Sequence, residues 1–172
     1  MNGVVLMDLD YEKERLLGLI EVYNLYDEDE INISLSNFDL NIEKVVNTDK
    51  HNLTITCDVN ANSDNFEKYD KSNSEICLNY TFNDEEFSTI HMDSTSFYFD
   101  SGLFEPEFTG HKTVKYTVYD INLDEIEEII IDIEAFLYEK EDDNGEGIEI
   151  VIEFDQGKFE NELRKFGFTK HD

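Results

Sequence analysis

Leu53, Ile55, Cys57 and Val59 alternate strictly with Thr54, Thr56 and Asp58. A period of two sorts apolar from polar side chains only when the chain is extended, because successive Cβ atoms of a strand point to opposite faces. The pattern recurs in EICLNYTF (75–82), where Ile76, Leu78, Tyr80 and Phe82 share one parity, and in KTVKYTVYD (112–120). INISL (31–35), FDLNIEKVV (38–46), FSTIHM (87–92) and TSFYF (95–99) read as further strands bounded by polar turns. NTDK turns 38–46 back onto 52–59, and the polar stretch 60–74 reads as a loop. A second loop, holding Gly102, Pro106 and Gly110, precedes 112–120.

Three segments carry helical spacing instead. Residues 9–26 place Leu9, Leu16, Ile20 and Tyr23 on one side, with Asp8 or Asp10 as a cap. Residues 123–138 place Leu123, Ile126, Ile130, Ile133 and Leu137 in a stripe flanked by Ile129 and Phe136, with Asn122 and Glu125 arranged as a capping box. After a turn at 142–147 and a strand at 147–154, Asp155 caps a last helix with Phe159, Leu163 and Phe166. The expectation is a single acidic α+β domain over 1–172. It has a mainly antiparallel sheet of about six to seven strands, an N-terminal helix, a helix near 123–138 and a C-terminal helix.

Charge decides what such a domain can meet. The chain has 42 acids against 13 bases, a formal net charge of -29, whereas solubility of a small domain needs a magnitude of only about 2–8. At 40% hydrophobic and 13% aromatic it is no disordered acidic tail. This charge repels nucleic acid and anionic membrane, whose recognition depends on Lys and Arg, and attracts basic surfaces or cations. The start, MNGVVLMDLDYEKE, turns acidic at once, and no apolar run approaches the roughly 20 residues of a membrane span. A cytoplasmic protein is expected. The two cysteines fit a reducing compartment, with Cys57 on the apolar parity of its strand and Cys77 on the polar one.

The acids are also grouped. Between Lys71 and Lys112 there is no Lys or Arg, and from 116 to 157 Lys140 is the only base. On a helix over 123–138, Asp124, Glu127, Glu128 and Asp132 surround a small apolar line of Ile131, Ala135 and Tyr138. Like charges at i,i+4, such as Asp124–Glu128 and Glu128–Asp132, each cost roughly 0.2–0.5 kcal/mol, so lysines would serve structure better. Glu141, Asp142, Asp143 and Glu146 follow, and Glu149 and Glu153 share one face of the next strand. Strand carboxylates two apart lie about 6.6–6.8 Å from each other and those four apart, like Glu149 and Glu153, about twice that, of the order of phosphate separations along a nucleic-acid strand. The candidate partner-binding face is therefore Asp124, Glu127, Glu128, Ile131, Asp132, Tyr138, Glu141, Asp142, Asp143, Glu146, Glu149 and Glu153. The plain alternatives are a solvated acidic face, and an Ile131–Tyr138 line that packs as a second side of the core.

Other chemistry is thin. Asp142, Asn144, Glu146, Gly147 and Glu153 brush the calcium-loop spacing, but Glu stands at the fifth position and a strand pattern follows where a helix should. The four histidines are isolated, no G-x-S-x-G elbow accompanies the serines, and no phosphate-binding glycine loop is present. No catalytic residues, metal or cofactor are expected. The composition suits a non-enzymatic, nucleic-acid-mimicking antagonist of a basic nuclease or other nucleic-acid-handling protein. Anti-restriction and anti-CRISPR proteins and nuclease-toxin immunity proteins work in this way. The alternative is a general acidic interaction module or Ca2+-binding module with no nuclease target.

Overall fold

The computed structural model describes residues 7–62 and 66–140. Among these residues, helix α1 (Leu9–Gly18) is followed by seven strands: β1 (Ile20–Asn24), β2 (Asn32–Lys44), β3 (His51–Asn62), β4 (Glu75–Asn83), β5 (Thr89–Tyr98), β6 (His111–Ile121) and β7 (Glu128–Phe136). Short 3-10 turns occupy Phe66–Lys68 and Leu123–Glu125. The strands form two sheets, one ordered β1-β7-β4-β5 and the other β2-β3-β6. Every pairing is antiparallel except β1 with β7.

The two sheets face each other across one hydrophobic cluster. Leu53, Ile55, Cys57 and Val59 of β3 point inward with Val114, Tyr116 and Val118 of β6, and meet Ile76, Leu78, Tyr80 and Phe82 of β4 and Ile129, Ile131 and Ile133 of β7. Tyr80 and Tyr116 stack between the layers with ring centroids 4.3 Å apart. The period-two pattern thus selects the buried face, as it must where one side of a sheet is packed. The same parity buries Cys57, while Cys77 lies half-buried on the other side of β4. Burial pushes both thiols up to about 11, so both remain protonated at neutral pH.

The architecture is broadly α+β, but with a single α-helix among the described residues. The helix expected over 9–26 stops at Gly18. Asp8 caps its start, accepting from the backbone N–H groups of Asp10 and Tyr11 at 3.1 and 3.2 Å. Beyond it, Ile20–Asn24 extends and pairs with β7, since Ile, Val and Tyr favour a pleated, half-buried surface.

The helix expected over 123–138 is also replaced. One 3-10 turn at Leu123–Glu125 gives way to β7, a central strand with β1 on one side and β4 on the other. Its run of isoleucines is apolar on both parities, which imitates helical spacing but suits a strand buried on both faces. The unfavourable i,i+4 carboxylate pairs were the signal against a helix, and extension separates Glu128 from Asp132 by about 13 Å.

Two pairs of expected strands fuse. Segments 31–35 and 38–46 belong to one strand, β2, interrupted by an irregularity between Ser36 and Asp39 where Asn37 takes φ 54. Segments 87–92 and 95–99 belong to β5. Within the expected 60–74 loop, β3 continues to Asn62 and Tyr69 is buried. The turn at 142–147, the strand at 147–154 and the C-terminal helix lie outside the described residues.

Candidate partner-binding surface

At one end of the sandwich the β4–β5 loop (84–88) meets the segment that links β6 to β7. The register fixes this meeting: Asn83 closes β4, pairs with Thr89 on one side and Glu128 on the other, and accepts from the Glu127 N–H at 2.9 Å. Asn83 is fully buried, and its side chain serves both neighbours. The amide donates to Glu128 Oε1 at 2.8 Å, and the carbonyl accepts from Thr89 Oγ1 at 3.1 Å.

Between the two segments lies an open cleft of about 460 Å3 lined by Asp84, Glu85, Glu86, Asp124, Glu125 and Glu127. All six are carboxylates. Their backbone supports are local and specific. Asp84 Oδ1 accepts from the N–H groups of Glu86 and Ser88, both at 2.9 Å, which folds the acidic loop back on itself. Asn122 Nδ2 donates to Glu125 Oε1 at 3.1 Å, side chain to side chain; the expected capping box does not form, since Asn122 makes no side-chain hydrogen bond to the backbone of the single turn that follows.

Arg15 of α1 holds the second segment from beneath. Its Nη1 donates to the Ile126 carbonyl at 2.7 Å and its Nη2 to the Leu123 carbonyl at 2.8 Å, while Nε and Nη2 both reach Glu12 Oε2. The guanidinium is thus held by backbone carbonyls and paired with Glu12, and it is not among the residues that line the cleft. A neighbouring hollow of about 230 Å3 is mixed in character, with Lys50, His91, Asp120, Asn122 and Glu125 in its wall.

Phe87 stands beside the carboxylates, 64% exposed and with φ 61. A left-handed backbone is uncommon for a bulky residue and costs about 1–3 kcal/mol, strain that is concentrated at functional sites. An aromatic ring kept outside in that conformation supplies contact area where the surface is otherwise charged.

The residues expected to form one helical face are scattered by the strand. Asp124 and Glu127 line the cleft, whereas Glu128 is half-buried, holds Asn83 Nδ2 and is not among the lining residues. Ile131 is fully buried on the core face of β7, between Val22 and Tyr80 in register. Asp132 is buried on the opposite face, beside Tyr23 and Asn79 in register. Tyr138 lies beyond the far end of β7, half-buried, its N–H donating to Ser74 Oγ at 3.0 Å. Glu128 to Phe136 alone spans about 26 Å, so Tyr138 and Asp124 cannot share a compact contact. Glu141, Asp142, Asp143, Glu146, Glu149 and Glu153 lie outside the described residues.

Sequence reasoning missed Asp84, Glu85, Glu86, Phe87 and Glu125 as site members. The lack of Lys and Arg between Lys71 and Lys112 pointed to the first four. What it could not show is the β4–β7 register that carries them to Asp124 and Glu127.

The cleft carboxylates are spread along its walls. Among the described residues no group of three His, Cys, Asp or Glu is placed to hold a metal ion. Nor is any helix among them long and apolar enough to cross a membrane. No family model, curated protein or solved structure matches the chain.

Proposed function

We propose that the protein is a non-enzymatic antagonist whose acidic end occupies the basic, nucleic-acid-handling surface of a protein partner. A nuclease is the partner that fits best, in the manner of anti-restriction, anti-CRISPR or nuclease-toxin immunity proteins. The supporting observation is the cleft walled by six carboxylates on braced loops, with no Lys or Arg in its lining. Carboxylates presented in series and held apart can stand where phosphates stand, and Phe87 adds the apolar contact that fixes specificity. In this reading Asp124 and Glu127, both expected from sequence, act together with Asp84, Glu85, Glu86 and Glu125.

The test is a pull-down from nuclease-treated lysate, repeated with Glu85, Glu86, Asp124 and Glu127 all changed to Lys. A basic DNA- or RNA-handling enzyme should bind the native protein and be released by salt. The screening length falls from about 10 Å at 0.1 M to about 3 Å at 1 M, which weakens contacts between exposed charges. Full binding and inhibition by the quadruple variant would remove the acidic end from consideration. A rise in Tm with millimolar Ca2+ and no captured enzyme would favour the cation-binding module instead.

A further inference from the structure

The opposite end of the sandwich carries a different kind of surface. Tyr98 pairs with Glu75 and Glu75 with Phe136, so the chain leaving β5 emerges a full strand length from the acidic cleft. It forms a loop closed by Phe99 and Phe108, where the Phe108 N–H donates to the Phe99 carbonyl at 2.6 Å. Both phenylalanines are buried in an aromatic cluster with Phe66 and Phe97, with Phe66 stacked on Phe99 at 4.8 Å. The flanks are tied as well. Lys71 pairs with Glu107 and with Glu67, Lys112 pairs with Glu105 at 3.1 Å, and the Asp100 N–H donates to the Lys71 carbonyl at 2.7 Å.

From this braced stem Leu103 and Phe104 project 97% and 96% exposed. Gly102, at φ +81 with its N–H on Asp100 Oδ1, makes the turn that presents them. Single exposed apolar residues are ordinary on protein surfaces. Here two adjacent large ones are almost wholly in water, while every other phenylalanine of the loop and its stem is packed inside. A loop held this way loses little freedom on binding, which is what an anchor side chain requires.

We infer that the Leu103–Phe104 tip is a preformed apolar plug that seats in a hydrophobic pocket of a protein partner whose pocket rim is basic. The rim chemistry follows from the loop's surroundings: Glu67, Asp100, Glu105 and Glu107 outnumber Lys71 and Lys112, on a chain of net charge -29. A second copy is disfavoured. Two copies would bring the same net charge of -29 together around the apolar tips, and that repulsion opposes their pairing. An anionic membrane is disfavoured by that charge too. The inference does not depend on the acidic end being a nucleic-acid mimic.

The experiment uses the full chain with the photo-crosslinker p-benzoylphenylalanine in place of Phe104. The control carries it in place of Val46, 80% exposed in the β2–β3 turn at the other end. Both are irradiated in lysate, with and without zwitterionic phosphatidylcholine vesicles, and the adducts are mapped by mass spectrometry. The expected result is an adduct at position 104 but not 46, on apolar side chains of one basic protein, kept when Glu85, Glu86, Asp124 and Glu127 are reversed to Lys. Leu103→Ser with Phe104→Ser should then weaken binding of that purified protein at least about tenfold with Tm unchanged. A homodimeric adduct, a lipid adduct, no adduct above the control, or unchanged affinity of the double variant would each overturn the plug. Loss of the position-104 adduct on charge reversal alone would show that the two ends do not act separately, and would overturn it as an independent anchor.

Discussion

Arg15 is the residue whose removal should test the construction of the acidic end most sharply. Its side chain is 21% exposed and that of its partner Glu12 is 12% exposed, so the pair is largely withdrawn from water. Arg15→Met keeps an unbranched aliphatic stem and a good helix former in α1. It removes charge-assisted donors from the carbonyls of Leu123 and Ile126, both residues of the buried core, and strands the Glu12 carboxylate. Hydrogen bonds to charged groups contribute about 1.5–3 kcal/mol each, and the partly buried ion pair adds less than the roughly 3–5 kcal/mol of a fully buried one. Because these effects share one side chain they do not add in full, and the expected loss is about 2–4 kcal/mol. That is a large part of the 5–15 kcal/mol typical of a domain. Urea denaturation should show a lower midpoint at unchanged slope. Adding Glu12→Gln should restore part of the loss by removing the stranded charge. Arg15→Lys should fall between, since an ammonium lacks the planar fork that reaches two carbonyls and a carboxylate together. A loss under about 1 kcal/mol for Arg15→Met, unaffected by Glu12→Gln, would refute the clamp.

Three further outcomes follow from the same geometry. Asn83→Ala should cost about 1–3 kcal/mol in denaturant midpoint, because the Glu128 carboxylate and the Thr89 hydroxyl lose a buried partner. Phe87→Gly should leave stability within about 1 kcal/mol, as relief of the left-handed strain offsets the added chain entropy and lost packing; partner affinity, measured by titration, should nonetheless fall at least about tenfold. The Glu134 carboxyl is raised above its ordinary 4.5 chiefly by burial, with the Asn79 amide opposing and Glu75 adding. Its protonated form therefore stabilises the fold fully below that value, and the contribution is lost as pH rises through the folded one. Glu134→Gln should raise Tm at pH 7 and leave it unchanged near pH 4; an equal effect at both pH values would contradict this sign.

The sequence exposed most of the sheet because each strand with one buried face has an unambiguous period. Leu53 to Val59 and Ile76 to Phe82 point inward as their alternation requires. It misled where a strand is buried on both faces. In Glu128–Phe136, Ile129, Ile131 and Ile133 fill the core while Ile130 is buried on the reverse side, so no parity stands out and helical spacing is matched by accident. That one misreading assembled Asp124, Ile131, Asp132 and Tyr138 into a face that extension pulls apart. The acidic character of the region was legible from composition, but its location was not. The register Asn83↔Glu128 joins residues 45 apart in sequence, and nothing local encodes it.

The charge distribution also explains how the fold tolerates its own field. Exposed carboxylates in water interact weakly and are screened within about 8 Å at physiological salt, so six around an open cleft cost the folded state little. The same six cost more in a closed, dry pocket, and the cleft is open. The cations near structural joints are spent elsewhere: Arg15 on carbonyls and Glu12, Lys68 on Glu30, Lys71 on Glu107, and Lys112 on Glu105. A basic partner that closes over the cleft replaces water with its own cations, and the lowered dielectric then strengthens attraction in place of repulsion. Salt therefore acts on the two ends differently. Binding at the carboxylate cleft should weaken steeply with ionic strength, whereas seating of Leu103 and Phe104 buries uncharged surface within a smaller charged rim and should weaken with it much less.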